Sequence, residues 1–507
     1  MTRPPSLRAS LLTFPVLYIV LALGTLVNGA ASEPTRPAPG GQAFHSILSG
    51  LRSLLVENVC PDVDTRAPLR IGFHCFWDGF VDDQGRGRNQ SGDLSRDANF
   101  LEDMWATFCP SCRPEFPGRP AGAPDGPRPD EDVSVFSVFC PPEEFAAKVQ
   151  RARGVRILFS GEDVWARPHY RWYGQESTLR HIDAAMTFYG ASSDGLGSRP
   201  LHQKRRECTD QACHAPEKVR FPLWLWEGLY WPFNGSDDAL RPQSSHPALR
   251  HLQRWAWYAR AMRFVDAFST RGPGSFDCRA RRAAFVSSSA YSVERWSLKN
   301  HLDRVVPVDC ASVLARNHPS PEHTLAAQPP PTARDPQCAA FDAMRMGGGS
   351  DGLGGEFSPT AIGGCAEEVR GLSVTATRAG RSPACKLPYL QGYLFAVAPE
   401  TWERAGYVTE KAFHAVLSGA VPIYGGARGA PEPGVLNADR MILMEDFSRQ
   451  SLEAVQRRVR ELLATEGARE VFERPLFARG AAREVTERYR EVTHVICGAL
   501  RAKADAS

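Results

Sequence analysis

Residues 400–424 read ETWERAGYVTEKAFHAVLSGAVPIY, and the order of residue types in this stretch decides the fold. A carboxylate at Glu400 precedes a polar turn, then Tyr407-Val408-Thr409-Glu410-Lys411, then apolar residues at helical spacing, and last the extended run Val421-Pro422-Ile423-Tyr424. Loop, helix and strand within about two dozen residues match the size of a nucleotide-binding unit in an α/β fold. The polar residues gather where the helix begins. Backbone N–H groups at a helix start favour anions and Lys411 adds a full positive charge, so the chemistry points to a phosphate, with Glu410 suited to sugar hydroxyls.

Working outward, residues 389–397 form an apolar strand leading into this stretch, RMILMEDF at 440–447 supplies another, 451–466 a basic amphipathic helix, and 471–502 a mostly helical end. Upstream, AAFVSSS at 283–289 reads as a strand entering a small polar loop, followed by Arg295, a helix through residue 302 and a strand at 305–308. Strand and helix alternate, which predicts a parallel sheet. Residues 314–388 interrupt this set with Pro-rich and Gly-rich runs, and no P-loop lysine or clean G-x-G-x-x-G follows a strand there, so they read as an insertion.

A first set of elements precedes it. LRIGFHCFW at 69–77 suits a buried strand, 133–139 and 155–160 are further strands with a helix at 143–153 between them, and 181–189 is another strand. The strand at 155–160 ends in Gly161-Glu162-Asp163, placing carboxylates where a cleft would lie. Residues 110–131 and 190–211 read as exposed loop and polar insertion, and 251–269 as a closing helix. The aromatic run FPLWLWEGLYW at 221–231 reads as core packing, with a stacking platform for a sugar as the alternative.

A length of 507 residues predicts two large domains. The 60 basic and 57 acidic residues are spread evenly and leave a net charge of +3, which gives no footprint for nucleic acid. Thirteen cysteines scattered along the whole chain fit disulfides in an oxidising lumen better than metal ligation: Cys109-Pro110-Ser111-Cys112 lacks the second half of a zinc site, as does the group Cys208, Cys213 and His214. Arg3 and Arg8 precede an uncharged apolar run from Leu11, which predicts a signal-anchor with the remainder of the chain luminal; a cleaved signal peptide ending near Gly29-Ala30-Ala31 is the alternative. Sequons stand at Asn89 and Asn234. Asp62-Val63-Asp64 and Asp130-Glu131-Asp132 imitate an Asp-x-Asp metal motif but read as exposed acidic turns in stem and loop.

The string GYVTEKAFHAVLSGAVPIYGG resembles the α1,3-fucosyltransferases, and LRIGFHCFW, RILFSGED at 156–163, FVSSSAYSVER at 285–295 and RMILMEDF follow in the family's order, so the similarity spans about residues 68–450. The resemblance implies a GT-B architecture of two Rossmann-like domains facing a cleft. The expected organisation is a cytoplasmic tail and signal-anchor at 1–31, a stem at 32–67, an acceptor-binding domain at 68–275, a GDP-sugar-binding domain at 276–475 and a helical end at 476–507. The implied activity is inverting transfer of L-fucose from GDP-fucose to an N-acetylglucosamine-containing glycan, in the Golgi membrane.

Residue by residue, the resemblance puts Arg295 and Lys411 at the diphosphate, Glu410 at the ribose, Glu400, Thr401 and Tyr407 at further donor positions, and Glu162 as catalytic base. Two departures stand out. Pro399-Glu400-Thr401-Trp402 lacks the asparagine that commonly follows the glutamate, and Asp163 replaces the asparagine after Glu162. The first keeps two other readings open, a GDP-sugar-binding luminal protein without activity and a transferase with a different sugar nucleotide. No cofactor or protein-bound metal is required by this chemistry; a divalent cation such as Mn2+ would act through the diphosphate.

Overall fold

Two parallel sheets carry the described residues of the computed structural model, which are 60, 68–76, 109, 114–115, 126–161, 171–174, 176–188, 217–222, 224, 262, 266, 270, 276–287, 293–312 and 390–505. The chain divides into two compact units, 1–57 and 58–507, and all of these residues belong to the second. Strands β1 (Leu69–His74), β2 (Pro114–Glu115), β3 (Val133–Phe136), β4 (Val155–Ser160), β5 (Ala184–Thr187) and β6 (Glu217–Arg220) form one sheet in the order β2-β1-β3-β4-β5-β6. Strands β7 (Ala280–Ser287), β8 (Val308–Ser312), β9 (Tyr393–Pro399), β10 (Val421–Gly425) and β11 (Ile442–Met444) form the other in the order β8-β7-β9-β10-β11. Every pairing is parallel.

Such strands are covered on both faces, so they read as continuous apolar runs rather than alternating ones. β9 (YLFAVAP) and β10 (VPIYG) are buried at every position. Helices α1 (Pro142–Arg151), α2 (Val293–Leu302) and α3 (Glu410–Leu417) make the crossovers β3-α1-β4, β7-α2-β8 and β9-α3-β10. The first has Pro142 in its first turn, Glu143 and Glu144 at its start and Lys148 and Arg151 at its end, charges that complement the helix dipole. Helix α4 (Arg449–Ala464) covers β11 and α2. After the short α5 (Gly467–Phe472), helix α6 (Ala481–Asp505) crosses back onto β4, β5 and β6. A disulfide from Cys497 to Cys60 fixes α6 to the chain ahead of β1.

In both sheets the second strand lies outside the first and the third lies on the first's other side. The winding therefore reverses between β1 and β3 and between β7 and β9, and ligands of such sheets sit outside the strand carboxyl ends at that reversal. In the first sheet this point is bridged by the Cys75–Cys140 disulfide. Beneath it His74 Nε2 lies 2.9 Å from Glu131 Oε2, and Ser134 Oγ donates to the same oxygen at 2.8 Å. Gly72 leaves the room: a Cβ there would collide with the Glu131 carboxylate.

Several boundaries differ from those the sequence predicts. The strand expected at 305–308 begins at Val308, because the N–H groups of Val305 and Val306 both close onto Leu302 O at 2.9 Å and Pro307 has no N–H to give a ladder. The strand expected at 440–447 shortens to Ile442–Met444, and the last helical region divides at Gly480, whose φ of 88° is a glycine conformation. The insertions at 190–211 and 314–388, most of the helix expected at 251–269, the stem except Cys60, and both sequons lie outside the described residues.

The expected membrane-anchored architecture, with its Golgi single-pass topology and membrane partner, is corrected. Among the described residues no helix is long and apolar enough to cross a membrane. The longest, α6, is amphipathic: Val485, Tyr489, Val492 and Ile496 are buried, while Arg483, Glu487 and Glu491 occupy its other side. The run at 11–31 that prompted the expectation lies outside the described residues.

Burial raises the Glu131 carboxyl, but its bonds from His74 and Ser134 outweigh this and leave it below its ordinary 4.5. A depressed acid contributes stability above that value and loses it as pH falls through the lower folded value. Glu131→Gln is therefore expected to cost about 1–3 kcal/mol near pH 7. Its deficit against the parent chain should shrink by about pH 3.5. Urea denaturation at both pH values reads the difference.

Candidate functional site

The reversal between β7 and β9 is where polar side chains collect. Glu400, the first residue after β9, donates its backbone N–H to Gly425 O at 2.8 Å, which turns its side chain inward, where the residue is 1% exposed. Four donors meet the carboxylate. Oε1 accepts from the Thr409 N–H at 2.8 Å and the Tyr424 hydroxyl at 3.5 Å; Oε2 accepts from Thr409 Oγ1 at 2.6 Å and Lys411 Nζ at 3.3 Å. A buried charge without such partners would be untenable. Gly426, at φ 141°, is demanded by the same packing, since a Cβ on it would stand 2.5 Å from Glu400 Cβ.

Thr409 is the N-cap residue of α3, yet it makes no side-chain cap. Its hydroxyl instead donates to Glu400 and accepts from Lys411 Nζ at 2.8 Å. Its side chain is therefore not spent on capping α3, and an anion at the helix start would meet the dipole's positive end. Lys411 is pulled down by burial, but Glu410, 3.7 Å away, and Glu400 more than offset this and hold its ammonium above the usual value of 10.5. Burial, then Glu400 and Glu432, push the Tyr424 phenol well above 10.0, so it stays protonated as a donor.

Arg295 enters from α2, on the other side of the reversal. It is 3% exposed, and its Nη2 donates to Thr401 Oγ1 at 2.6 Å. Burial lowers its value, with Glu400 the first of the carboxylates that oppose the fall. Arg295 and Lys411, with Phe285, Val286, Ala398 and Pro399, border a shallow, open depression at the strand ends.

The structure therefore gathers Arg295, Glu400, Thr401, Glu410 and Lys411 at one place, with Tyr407 beside them and turned against Phe188 at 5.0 Å between ring centroids. Thr401, standing where the resembled family commonly has asparagine, uses its hydroxyl to hold Arg295. Glu162 and Asp163 lie outside the described residues. Thr409 and Tyr424 are site members that sequence reasoning passed over. The signal for Thr409 was its place immediately ahead of Glu410 and Lys411 at the helix start; Tyr424 reads only as a strand residue.

Of the aromatic run, Trp224 is fully buried and stacks on Phe413 at 4.4 Å and 11°, so it packs the core rather than offering a face to a sugar. The sulfurs of Cys60, Cys109 and Cys497 lie within 4.8 Å of one another. All three cysteines are disulfide-bonded, which removes the thiolates a metal would need.

No protein-family model matches the chain, and no curated protein does. Among solved structures the chain is similar to an α1,3-fucosyltransferase, at 14% identity over 89% of this chain and 97% of that one, with a TM-score of 0.43. It is similar also to an α1,3-fucosyltransferase with GDP (13% identity, 88% and 97% covered, TM-score 0.43) and to one with GDP-fucose (14%, 88% and 97%, TM-score 0.38).

Glu400→Gln removes the charge that Lys411, Tyr424 and Thr409 surround. The expected loss is about 1–3 kcal/mol of folding stability, read by chemical denaturation.

Proposed function

We propose that the chain is an inverting glycosyltransferase that moves L-fucose from GDP-fucose in α1,3 linkage to an N-acetylglucosamine-containing glycan. The observation that carries this reading is the convergence of two cations, Arg295 from α2 and Lys411 from α3, on the uncapped start of α3 at the winding reversal of the second sheet. That arrangement suits a diphosphate. The resemblance of GYVTEKAFHAVLSGAVPIYGG to the α1,3-fucosyltransferases supplies the sugar and the linkage.

In the reaction, Glu162 takes the proton of the acceptor hydroxyl as its oxygen bonds to the anomeric carbon. The bond from that carbon to the β-phosphate oxygen breaks, and the negative charge growing on GDP is met by Lys411 and Arg295. Glu410, 21% exposed at its side chain beside Lys411, is placed for ribose hydroxyls. A single displacement inverts the anomeric centre.

One observation favours a second reading, a GDP-sugar-binding protein without turnover: Thr401 engages Arg295 at 2.6 Å and draws it toward the loop after β9. Incubation with labelled GDP-fucose and a panel of glycans, followed by linkage analysis, separates the two. Transfer is expected. Lys411→Ala should lower kcat/KM by about 10²–10³, and Glu162→Gln should abolish turnover while GDP still binds. GDP binding by the unaltered chain with no transfer to any glycan would overturn the transferase reading in favour of the second.

A further inference from the structure

We infer that Arg220, at the end of the opposite sheet, is a positioning residue for the donor site, acting through Glu432 and the loop that carries Tyr407 and Thr409. Arg220 closes β6 and reaches across to the second sheet's loops. Its Nη1 donates to Glu432 Oε2 at 3.0 Å, its Nη2 pairs with Glu432 Oε1, and Nη2 also donates to Gly406 O at 3.2 Å. The fork geometry of a guanidinium is what lets one side chain hold a carboxylate with both arms and a carbonyl besides. Both partners are specialised for the contact. Glu432 is 7% exposed and adopts φ 45°, an unfavourable backbone for a non-glycine residue; Gly406, at φ 78°, could not carry a Cβ without crowding Phe188 O at 3.2 Å.

The contact continues into the site. Glu432 is among the carboxylates that raise the Tyr424 phenol, and that phenol donates to Glu400. Gly406 immediately precedes Tyr407, whose ring packs edge-on against Phe188 at the end of β5. Two residues further, Thr409 holds Glu400 and Lys411. Arg220 thus touches the loop through Gly406, which leads by Tyr407 to Thr409, and holds Glu432, whose charge acts through space on the Tyr424 phenol that donates to Glu400. Without it Glu432 would be a buried carboxylate lacking its ion-pair partner.

The inference rests on the proposed donor site only in naming GDP as the ligand, and its test separates the two. Arg220→Ala, Arg220→Lys and the exchanged pair Arg220→Glu with Glu432→Arg are compared in the whole chain by two measurements: amide hydrogen exchange at residues 404–410 without ligand, and calorimetric titration with GDP. The expected result is exchange at least about tenfold faster at Tyr407 and Thr409 in Arg220→Ala, with β10 unchanged, and GDP affinity weakened about tenfold or more. Arg220→Lys should lie between, because an ammonium keeps the charge and loses the fork. The exchanged pair should recover most of both effects, which general destabilisation would not. Unchanged exchange at 404–410 in a folded Arg220→Ala chain, or faster exchange spread equally over β10, would overturn the inference. If the unaltered chain binds no GDP while the exchange pattern appears as expected, the donor reading falls and the positioning role of Arg220 stands.

Discussion

A carboxylate that is only 1% exposed sets the terms for the second sheet. A carboxylate at that depth requires its oxygens to be met by donors. Meeting them fixes its neighbours one after another. The turn from 400 to 409 must return so that the Thr409 N–H faces Oε1; the Thr409 hydroxyl must abandon its helix to face Oε2; Tyr424 must end its strand with its phenol directed at the site; and Gly426 must remain without a side chain. Lys411 is then held by the carboxylate rather than free in solvent.

The two sheets have the same winding and treat its reversal in opposite ways. In the first, the ends of β1 and β3 continue into Cys75 and Cys140, which are bonded together, and the Phe139 N–H is bonded to Cys75 O at 3.0 Å, so the crevice is bridged by chain and sulfur. In the second, Arg295 and Thr401 are bonded to each other beyond the ends of β7 and β9, and Arg295 and Lys411 stand at the edge of an open, mostly apolar depression there. One topology therefore offers a ligand crevice twice, and residue chemistry at the strand ends keeps it available in the second sheet.

Much of this architecture is legible in the sequence, for physical reasons that also explain the rest. β9, α3 and β10 are plain because burial on both faces of a parallel strand writes an unbroken apolar run, and a crossover helix writes its own period beside it. Lys411 and Arg295 could be marked as cations near a helix start and a strand end. The partners of Glu400 could not, because which hydroxyl turns inward depends on backbone direction at 401–409, a segment with no periodicity. Arg220 and Glu432 are harder still: 212 positions apart, one ending a polar strand and the other inside the turn APEPG, each resembles an ordinary surface charge until the two sheets are set beside one another. The ends of helices and strands misplace by a few residues where Pro307 and Gly480 decide them, since a single missing N–H or a left-handed φ outweighs the apolar pattern around it.

The site's chemistry and the contact between sheets are parts of one electrostatic arrangement. Glu400 lies between cations on either side of the reversal, and Glu432 lies between Tyr424 and Arg220, so acidic groups buried in the second sheet are balanced partly from the first. Charge pairs that cross between elements this far apart in sequence add little to local structure, and their geometry exists only when both sheets are in place. In the proposed donor site, a ligand that altered the charge at Lys411 would be felt at Glu400, to which Lys411 Nζ donates.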